Sequence, residues 1–295
     1  MFDNFNKNKA TIQYCPCCNR ESKLLKNVNN YDYFICDNCK TIFIDNATID
    51  KIDRDPDFIL REYNKYYWQD ELSSSRERSF GVALARMAEA IYYSRVPIKK
   101  FLDIGTGAGY FLDAVSKYIP ENKHIFYGVE KFPPDESLRT KSPNYIIGEC
   151  GDVDFHIDCG ICIEVIEHLT PNMLKNMLLQ LSRISNKGAL YIFNTGMPEY
   201  VLNEDINYLD PTKRGHIVSY STDAIRSIAN NMNFKVYDIP GKTWAFALEY
   251  DYEDQSVNIQ DRIWSALPEN LRILSDKDMG SVLKVLGLET ARAYI

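Results

Sequence analysis

The chain has 295 residues, of which 45% are hydrophobic and 25% charged, a composition typical of a globular protein with a sizeable core and not of a disordered or fibrous one. The net charge of −7 provides no basic field for a phosphate backbone, so we expect a small-molecule partner and no nucleic acid. The first ten residues contain no apolar signal core, and no run of about 18 apolar residues could span a bilayer, so we expect a cytoplasmic protein without a membrane span.

A cysteine cluster lies near the start of the chain, where five of the eight cysteines fall between positions 15 and 39. Two residues separate Cys15 from Cys18 and Cys36 from Cys39, and each short loop can direct both thiolates at one ion. Four thiolates suit tetrahedral Zn²⁺ in a structural site. Cys17 competes for a place in the first pair, and four reduced, metal-free cysteines are the alternative. The pattern predicts a small zinc-ribbon module over residues 1–48.

A polar, aromatic-rich segment follows over residues 49–97, for which we predict a helical linker and lid. Its aromatic cluster consists of Tyr63, Tyr66, Tyr67 and Trp68. The serines at 73–75 indicate a loop or the start of a helix. Apolar residues at helical spacing over 76–93 predict one amphipathic helix that ends before Pro97.

Strands and helices alternate beyond Pro97. This alternation predicts an α/β fold with a Rossmann-like, mostly parallel sheet of seven strands and helices on both faces. The predicted strands span residues 100–104, 125–130, 144–147, 160–163, 189–194, 235–239 and 244–250, and the predicted helices span residues 110–118, 171–185 and 222–231. We assign residues 98–250 to this domain and residues 251–295 to a C-terminal helical extension.

A glycine-rich turn follows the first of these strands, where residues 101–109 read Phe-Leu-Asp-Ile-Gly-Thr-Gly-Ala-Gly. Such a turn lets the backbone approach a ligand closely. Its residues are Gly105, Thr106, Gly107 and Gly109, a spacing that differs from the dinucleotide fingerprint. Glu130, at the end of the next strand, can accept hydrogen bonds from ribose hydroxyls in either kind of cofactor. Asp103 favours S-adenosylmethionine (SAM) because a carboxylate suits the ammonium of a methionine moiety and would face phosphate badly.

Two further segments carry a family resemblance, Asp158-Cys-Gly-Ile-Cys-Ile-Glu-Val-Ile-Glu-His-Leu and Gly215-His-Ile-Val-Ser-Tyr-Ser-Thr-Asp-Ala-Ile. Together with residues 101–109, they resemble class I SAM-dependent methyltransferases with an N-terminal zinc module. The chain is similar to bacterial sugar and surface-polysaccharide methyltransferases and, over its catalytic domain, to ubiquinone-biosynthesis O-methyltransferases. The resemblance covers roughly residues 80–240.

This resemblance implies further SAM-binding residues, namely Arg86, Glu149, Cys150, Ile163 and Glu164. The backbone of Ile163 would lie beside the adenine, and residues 148–150 would lie near the adenine amine. Arg86 would pair with the SAM carboxylate. Gly148-Glu149 replaces the usual Gly-Asp pair, so either Glu149 or Asp152 could face the adenine.

Two histidines are candidate catalytic residues, since a hydroxyl acceptor gains from a base that takes its proton and histidine suits this role near neutral pH. His168 follows the fourth strand at the carboxyl edge where open sheets bind ligands, and His216 lies in the loop after the fifth strand. Alternatively, His168 braces the next helix and His216 fixes a loop. His124 and His156 precede strands, and we expect them to be structural.

The acceptor site is expected beside these histidines. Lys213 and Arg214 could bind a phosphate or carboxylate, or form a solvated basic turn. Tyr66 and Tyr67 could close over SAM or stack on a sugar ring, or form a seam between modules. The predicted function is a SAM-dependent O-methyltransferase for a carbohydrate or related small molecule, phosphorylated or not, with a role in surface-polysaccharide biosynthesis implied by the resemblance. The alternatives are a sugar C-methyltransferase and a zinc-ribbon interaction protein that binds SAM without turnover, and the oligomeric state is left open.

Overall fold

The computed structural model describes residues 12–55, 58, 60–62, 64–252 and 258–285. Tyr63 of the aromatic cluster lies outside the described residues, as do residues 253–257 and 286–295 of the predicted extension. No helix within the described ranges has both the length and the apolar character needed to cross a bilayer.

The described residues form strands and α-helices, which are numbered in chain order. The strands are β1 (Gln13–Tyr14), β2 (Glu21–Val28), β3 (Tyr31–Cys36), β4 (Ile42–Ile44), β5 (Phe101–Ile104), β6 (Phe126–Glu130), β7 (Tyr145–Ile147), β8 (Ile157–Ile163), β9 (Ser185–Asn194), β10 (Val218–Ser219), β11 (Phe234–Asp238) and β12 (Ala245–Tyr250). The α-helices are α1 (Asn46–Arg54), α2 (Lys65–Arg78), α3 (Leu84–Tyr93), α4 (Tyr110–Tyr118), α5 (Pro171–Ile184), α6 (Pro198–Asn203), α7 (Thr222–Ile228), α8 (Pro268–Ile273) and α9 (Gly280–Val285).

A seven-stranded sheet forms the centre of the fold, in the order β11-β12-β9-β8-β5-β6-β7. Strands β5 to β9 pair in parallel, whereas β12 runs antiparallel to both of its neighbours. The predicted α/β fold with a mostly parallel sheet of seven strands is therefore confirmed. Strands β8 and β9 begin earlier than predicted and α7 ends earlier, while α4 has the predicted bounds.

Both faces of this sheet are buried, because side chains alternate between two hydrophobic clusters along each strand. In β9, Tyr191 and Phe193 belong to the cluster that includes α5 and α7. Leu190 and Ile192 point to the other cluster, which includes α3 and α4. Helices thus cover both faces, and the carboxyl edge of the parallel strands is left available for a ligand.

A second, antiparallel sheet is formed mainly by the N-terminal residues, in the order β1-β2-β3-β4-β10. Its last strand comes from the distant residues 218–219, with Val218 opposite Phe43 and Ser219 opposite Ile42. The buried side chains of β3 and β4 belong to the same cluster as one face of the large sheet. The N-terminal sheet is therefore continuous with the rest of the fold, and the domain bounds at 48, 97 and 250 stay a prediction.

One helical segment runs from residue 65 to residue 93, in which a π-helical turn over Ser79–Ala83 joins α2 to α3. The prediction that residues 73–75 form a loop or a helix start is wrong, because these serines lie inside α2. The helix begins at Asn64, whose Oδ1 accepts the backbone N–H groups of Tyr66 and Tyr67. Only Trp68 is buried among the α2 residues, so α2 lacks the apolar stripe by which periodicity identifies a helix.

Candidate functional site

The glycine-rich turn between β5 and α4 has the backbone conformation that its sequence suggested. Gly105 and Gly109 have φ angles of +72° and +76°, in the left-handed region that favours glycine. A Cβ at Gly105 would lie 2.4 Å from Cγ2 of Val165, and a Cβ at Gly109 would lie 2.3 Å from Cγ2 of Thr140. Larger residues would therefore clash at both positions. The backbone of this turn, at Gly105 and Gly107, borders a cavity.

Two acidic side chains flank this turn. Asp103 in β5 is buried, and burial raises the pKa of its carboxyl to about 7. Glu130 ends β6, where its Oε2 accepts the N–H of Gly107 and its Oε1 accepts the N–H of Phe132, both at 2.8 Å. Burial also raises the pKa of Glu130, and these two N–H groups partly offset the effect. Glu130 consequently fixes the glycine turn while keeping lone pairs for a ligand.

The cavity beside the turn has a volume of about 280 Å³ and lies between α2 and the carboxyl ends of β5, β6 and β8. Most of the predicted SAM-binding residues line it: Asp103, Gly105, Thr106, Gly107, Glu130, Glu149, Cys150, Ile163 and Glu164. Trp68 from α2 covers it, and its buried indole N–H has no hydrogen-bond partner in the described chain.

Two predicted SAM-binding residues do not line the cavity. Gly109 is the N-cap residue of α4, and its left-handed backbone conformation lets the chain pass from the glycine turn into the helix. Arg86 is buried in α3, where its Nη1 lies 2.5 Å from Oε2 of Glu89, so its charge is paired away from the cavity. Arg78, two turns earlier in the same helical segment, lines the cavity and pairs with Glu71. Spacing along the sequence alone did not distinguish the two arginines.

Glu149 and Asp152 differ in whether they line the cavity. Asp152 turns back on its own loop and accepts the backbone N–H of Glu149 at 2.7 Å. Glu149 lines the cavity, forms an ion pair with Lys131 and accepts a hydrogen bond from Gln180 at 2.8 Å. These hydrogen bonds, that of Gln180 foremost, lower the pKa of Glu149. Sequence reasoning missed Lys131 and Gln180, which contact Glu149 and also line the cavity themselves.

A buried cluster of acids and histidines adjoins the cavity; we call Glu164, Glu167, His168, Tyr208 and His216 the acid–histidine cluster. The Tyr208 hydroxyl lies 3.2 Å from Oε2 of Glu164 and 3.0 Å from Oε1 of Glu167. Burial raises the pKa of both glutamates, and the charge of Glu167 raises that of Glu164 further. Glu164 also has a φ of +53°, a costly conformation that marks strain beside a site.

The two histidines share this cluster, with their ring centroids 4.8 Å apart. Nδ1 of His168 faces the Gly215 carbonyl at 3.0 Å, and Nδ1 of His216 faces the Tyr208 carbonyl at 2.8 Å. Because carbonyls only accept, each Nδ1 carries the proton and each Nε2 carries the lone pair. Burial lowers the pKa of His168, and burial followed by the charge of His168 lowers that of His216 to about 2. Only His168 lines the cavity.

The cluster also has the composition of a cation site. One ligand atom from each of Glu167, His168 and His216 lies within 4.8 Å of the others. Two imidazoles and a carboxylate are ligands that many divalent transition metals accept.

A second cavity, of about 490 Å³, lies beside the first half of α2. All four predicted acceptor-binding residues line it: Tyr66, Tyr67, Lys213 and Arg214. Tyr67 and Glu71 line both cavities, so these spaces adjoin. The guanidinium of Arg61 lies over the Tyr67 ring, 4.5 Å from its centroid.

The four predicted zinc ligands converge. Sγ of Cys15 lies 3.6 Å from Sγ of Cys39, and Sγ of Cys18 lies 3.5 Å from Sγ of Cys36. All four sulfurs lie within 4.8 Å of one another, a set that does not include Cys17. Thiolates bound at about 2.3 Å around one tetrahedral zinc are separated by similar distances. The donor set therefore fits a closed, structural zinc site.

The comparison with known families decides the class of protein. The sequence profile of a family described as a methyltransferase domain matches residues 46–239, about two thirds of the chain. The chain belongs to this methyltransferase family. It is a class I SAM-dependent methyltransferase.

The chain also matches solved structures at low sequence identity. A SAM-bound amino pentose methyltransferase from Micromonospora echinaspora has 14% identity and a TM-score of 0.46, covering 64% of this chain and 98% of its own. DesVI of Streptomyces venezuelae has 12% identity and a TM-score of 0.46, covering 65% of this chain and 100% of its own. A riboflavin-derivative dimethyltransferase from Streptomyces davawensis has 18% identity and a TM-score of 0.41, covering 57% of this chain and 53% of its own. No curated protein matches the chain.

Proposed function

We propose that this methyltransferase transfers the methyl group of SAM to a hydroxyl of a carbohydrate or related small molecule, phosphorylated or not. The observation that carries this proposal is that Tyr67 and Glu71 belong to the linings of both cavities. An acceptor in the second cavity would meet the cofactor beside α2, between aromatic faces and basic side chains. A role in surface-polysaccharide biosynthesis is part of the proposal and rests on the sequence resemblance.

The residues of the first cavity suit the parts of SAM. Glu130 would accept hydrogen bonds from the ribose hydroxyls, and ionised Asp103 would face the ammonium. Glu149, Cys150 and Ile163 would surround the adenine. The cofactor carboxylate needs a cation at the α2 side of the cavity. Arg78 replaces Arg86 in that role, because Arg78 lines the cavity and Arg86 does not.

The same geometry suggests how the acceptor is activated. SAM supplies an electrophilic methyl group with a good leaving group, so the protein has mainly to align the acceptor and remove its proton. His168 lines the cavity, and its Nδ1 bond to the Gly215 carbonyl holds the ring in one tautomer. Burial keeps His168 neutral near pH 7, with the Nε2 lone pair able to take a hydroxyl proton. Such base catalysis contributes about 10² to 10⁴ in rate.

His216 takes a supporting place in this scheme. It lines neither cavity, and the low pKa that burial gives it keeps the ring neutral. We therefore place the base at His168 and keep His216 as a neighbour that orients it through the ring contact. If the acid–histidine cluster holds a cation, the two histidines would act as its ligands together with Glu167.

The proposal includes the remaining parts of the chain. A structural zinc would be held by Cys15, Cys18, Cys36 and Cys39 in a module of residues 1–48. Residues 49–97 would form the linker and lid, residues 98–250 the SAM-binding domain and residues 251–295 the extension. The lid assignment is supported by α2, which lies over one cavity and borders the other.

The test is turnover with a panel of free sugars, sugar phosphates and nucleotide sugars. The release of S-adenosylhomocysteine (SAH) measures this turnover. Mass spectrometry of the product would locate the methyl group. We expect an O-methylated carbohydrate, and we expect Lys213→Ala to raise KM for a phosphorylated acceptor about tenfold, since one charge-assisted hydrogen bond is lost. Lys187→Ala is the matched control, because Lys187 is exposed and pairs only loosely with Asp251.

The panel also separates the alternatives. A methyl group on carbon would favour a C-methyltransferase and contradict the hydroxyl acceptor. Tight SAH binding without turnover of any acceptor would favour an interaction protein.

A further inference from the structure

We propose that the N-terminal sheet is a clamp that positions the acceptor side of the active site, and that Tyr33 is its principal positioning residue. The part it holds is residues 205–219, called here the acceptor segment. This inference rests on the proposed function in one respect, namely that Lys213 and Arg214 contact the acceptor.

The acceptor segment brings together groups from two parts of the site. Lys213 and Arg214 line the second cavity, and Tyr208 and His216 belong to the acid–histidine cluster. Between the end of α6 and the start of β10, the described residues form turns and no helix or strand. A segment without regular structure is ordered by the groups that bind it from outside.

Backbone pairing supplies the first set of those contacts. The N–H of Ile44 donates to the carbonyl of Ile217 at 2.9 Å. Strand β10 then continues the antiparallel sheet beside β4, so the end of the acceptor segment is a strand of the N-terminal sheet. Residues 216 and 217 are thus held on one side by a sheet whose other strands precede residue 45, while the N–H of Ile217 also donates to the carbonyl of Glu167 at 2.8 Å.

Side chains of the N-terminal sheet supply the second set. The hydroxyl of Tyr33 donates to the carbonyl of His216 at 2.7 Å, and Tyr33 is fully buried. Asn29 donates from Nδ2 to Oγ1 of Thr212 at 2.8 Å, next to Lys213. Lys26 reaches two backbone carbonyls of the segment, those of residues 206 and 209. The hairpin formed by β2 and β3 therefore binds the acceptor segment beside Lys213 and at His216.

The four-cysteine site lies at the opposite end of the same hairpin. Cys36 is the last residue of β3, and Cys39 precedes β4, the strand that pairs with β10. Near this turn, the Thr41 hydroxyl lies 3.2 Å from the Ser221 hydroxyl, which caps α7. A zinc ion at these cysteines would fix the β3–β4 turn and, through β4, the strand that ends the acceptor segment. The cofactor cavity has none of its lining residues in the N-terminal sheet.

This arrangement has a specific consequence. Loosening the N-terminal sheet should disorder the acceptor segment and leave intact the side of the cofactor cavity that is formed by the glycine turn, Asp103 and Glu130. Glu164 and His168, which line the cavity and contact the segment, should be affected. A mutation in the sheet should therefore affect acceptor binding separately from SAH binding.

The experiment compares Tyr33→Phe with Tyr31→Phe in the full-length, zinc-loaded protein. Both changes remove one tyrosine hydroxyl from β3, but only the hydroxyl of Tyr33 is bound to the acceptor segment. Hydrogen–deuterium exchange followed by mass spectrometry would report on peptides covering residues 205–219 and residues 101–115. Calorimetry would give the dissociation constant of SAH.

We expect Tyr33→Phe to increase exchange about three- to tenfold in residues 205–219, with the glycine-turn peptide and SAH affinity unchanged within twofold. Tyr31→Phe should match the wild type. Cys18→Ser should increase exchange in the same segment and retain SAH binding, and it is preferred to a chelator because a chelator could also strip the acid–histidine cluster.

Kinetics provide a readout that a general loss of stability would not produce. With a carbohydrate that the wild type methylates, Tyr33→Phe should raise the acceptor KM several-fold and lower kcat, because Gly215 and His216 hold His168, and it should leave the KM for SAM within twofold. The exchange and calorimetric results stand even if no acceptor is turned over, so failure of the proposed function is distinguishable from failure of the clamp. Unchanged exchange in residues 205–219, or an equal increase throughout the chain with weaker SAH binding, would overturn the clamp.

Discussion

The affinity for SAH should depend on pH through Asp103. Burial places the pKa of this carboxyl at about 7, well above its ordinary value. If the ammonium of the cofactor faces Asp103, the ionised carboxylate is the binding form. Affinity should then be highest above this pKa and should fall as the pH drops below it. Since α-amino groups titrate at about pH 7.7–8.0, the useful range ends at about pH 7.5.

The size of the effect follows from the ionised fraction. With a pKa of about 7, Asp103 would be about 9% ionised at about pH 6 and about 76% ionised at about pH 7.5. The dissociation constant of SAH should therefore be about eightfold larger at the lower pH, which corresponds to about 1.2 kcal/mol. Isothermal titration calorimetry in buffers of matched ionic strength would measure it.

Matched variants identify the titrating group. Asp103→Asn should bind SAH more weakly and lose most of the pH dependence, because the amide has no proton to release. His168→Gln tests a histidine that lines the cavity and whose pKa burial lowers, and this variant should keep the wild-type slope. Glu130→Gln removes another cavity acid with a raised pKa and should also keep a slope between about pH 6 and 7.5. A flat wild-type profile, or an unchanged slope in Asp103→Asn, would refute the placement of the ammonium at Asp103.

Two further predictions concern the metal and the core. Metal analysis should find one zinc per chain in the wild type and in Cys17→Ser, and no zinc in Cys18→Ser. The two variants should differ because Cys18 belongs to the four converging cysteines and Cys17 does not. Equal zinc loss from both variants would contradict the ligand assignment. Arg262→Met should lower the free energy of unfolding in urea by about 3–5 kcal/mol, since it leaves the fully buried Glu249 without its bidentate partner at 2.8 and 2.9 Å. A loss below about 1 kcal/mol, the range of exposed ion pairs, would show that water reaches this pair.

Local patterns were sufficient for the parts of the fold that depend on neighbours in sequence. The turn from Asp103 to Gly109 was predictable because its glycines follow a buried strand and have positive φ angles that glycine adopts without strain. The same holds for α4, where an apolar face repeats at helical spacing. The pairing of the cysteine loops was predictable for a similar reason, because each pair lies within one short loop.

Features that depend on distant contacts were not predictable. The sequence around Val218 gives no sign that this strand pairs with Phe43, because the two residues meet only through the folded chain. The choice between Arg78 and Arg86 likewise depends on which side of the helical segment faces the glycine turn, and the π-helical turn between them changes the helical phase. Glu149 was separated from Asp152 only by the contacts with Lys131 and Gln180.

The short strand β10 has a consequence for how the protein is made and trimmed. Residues 12–44 leave the ribosome long before residues 218–219, so the N-terminal sheet cannot acquire its fifth strand until most of the chain has been synthesised. Truncation at residue 46, where the family match begins, would remove every partner strand of β10 and uncover Ile217 and Val218, which are now buried. We expect such a shortened protein to aggregate on expression, so the N-terminal residues should be retained when the catalytic domain is prepared.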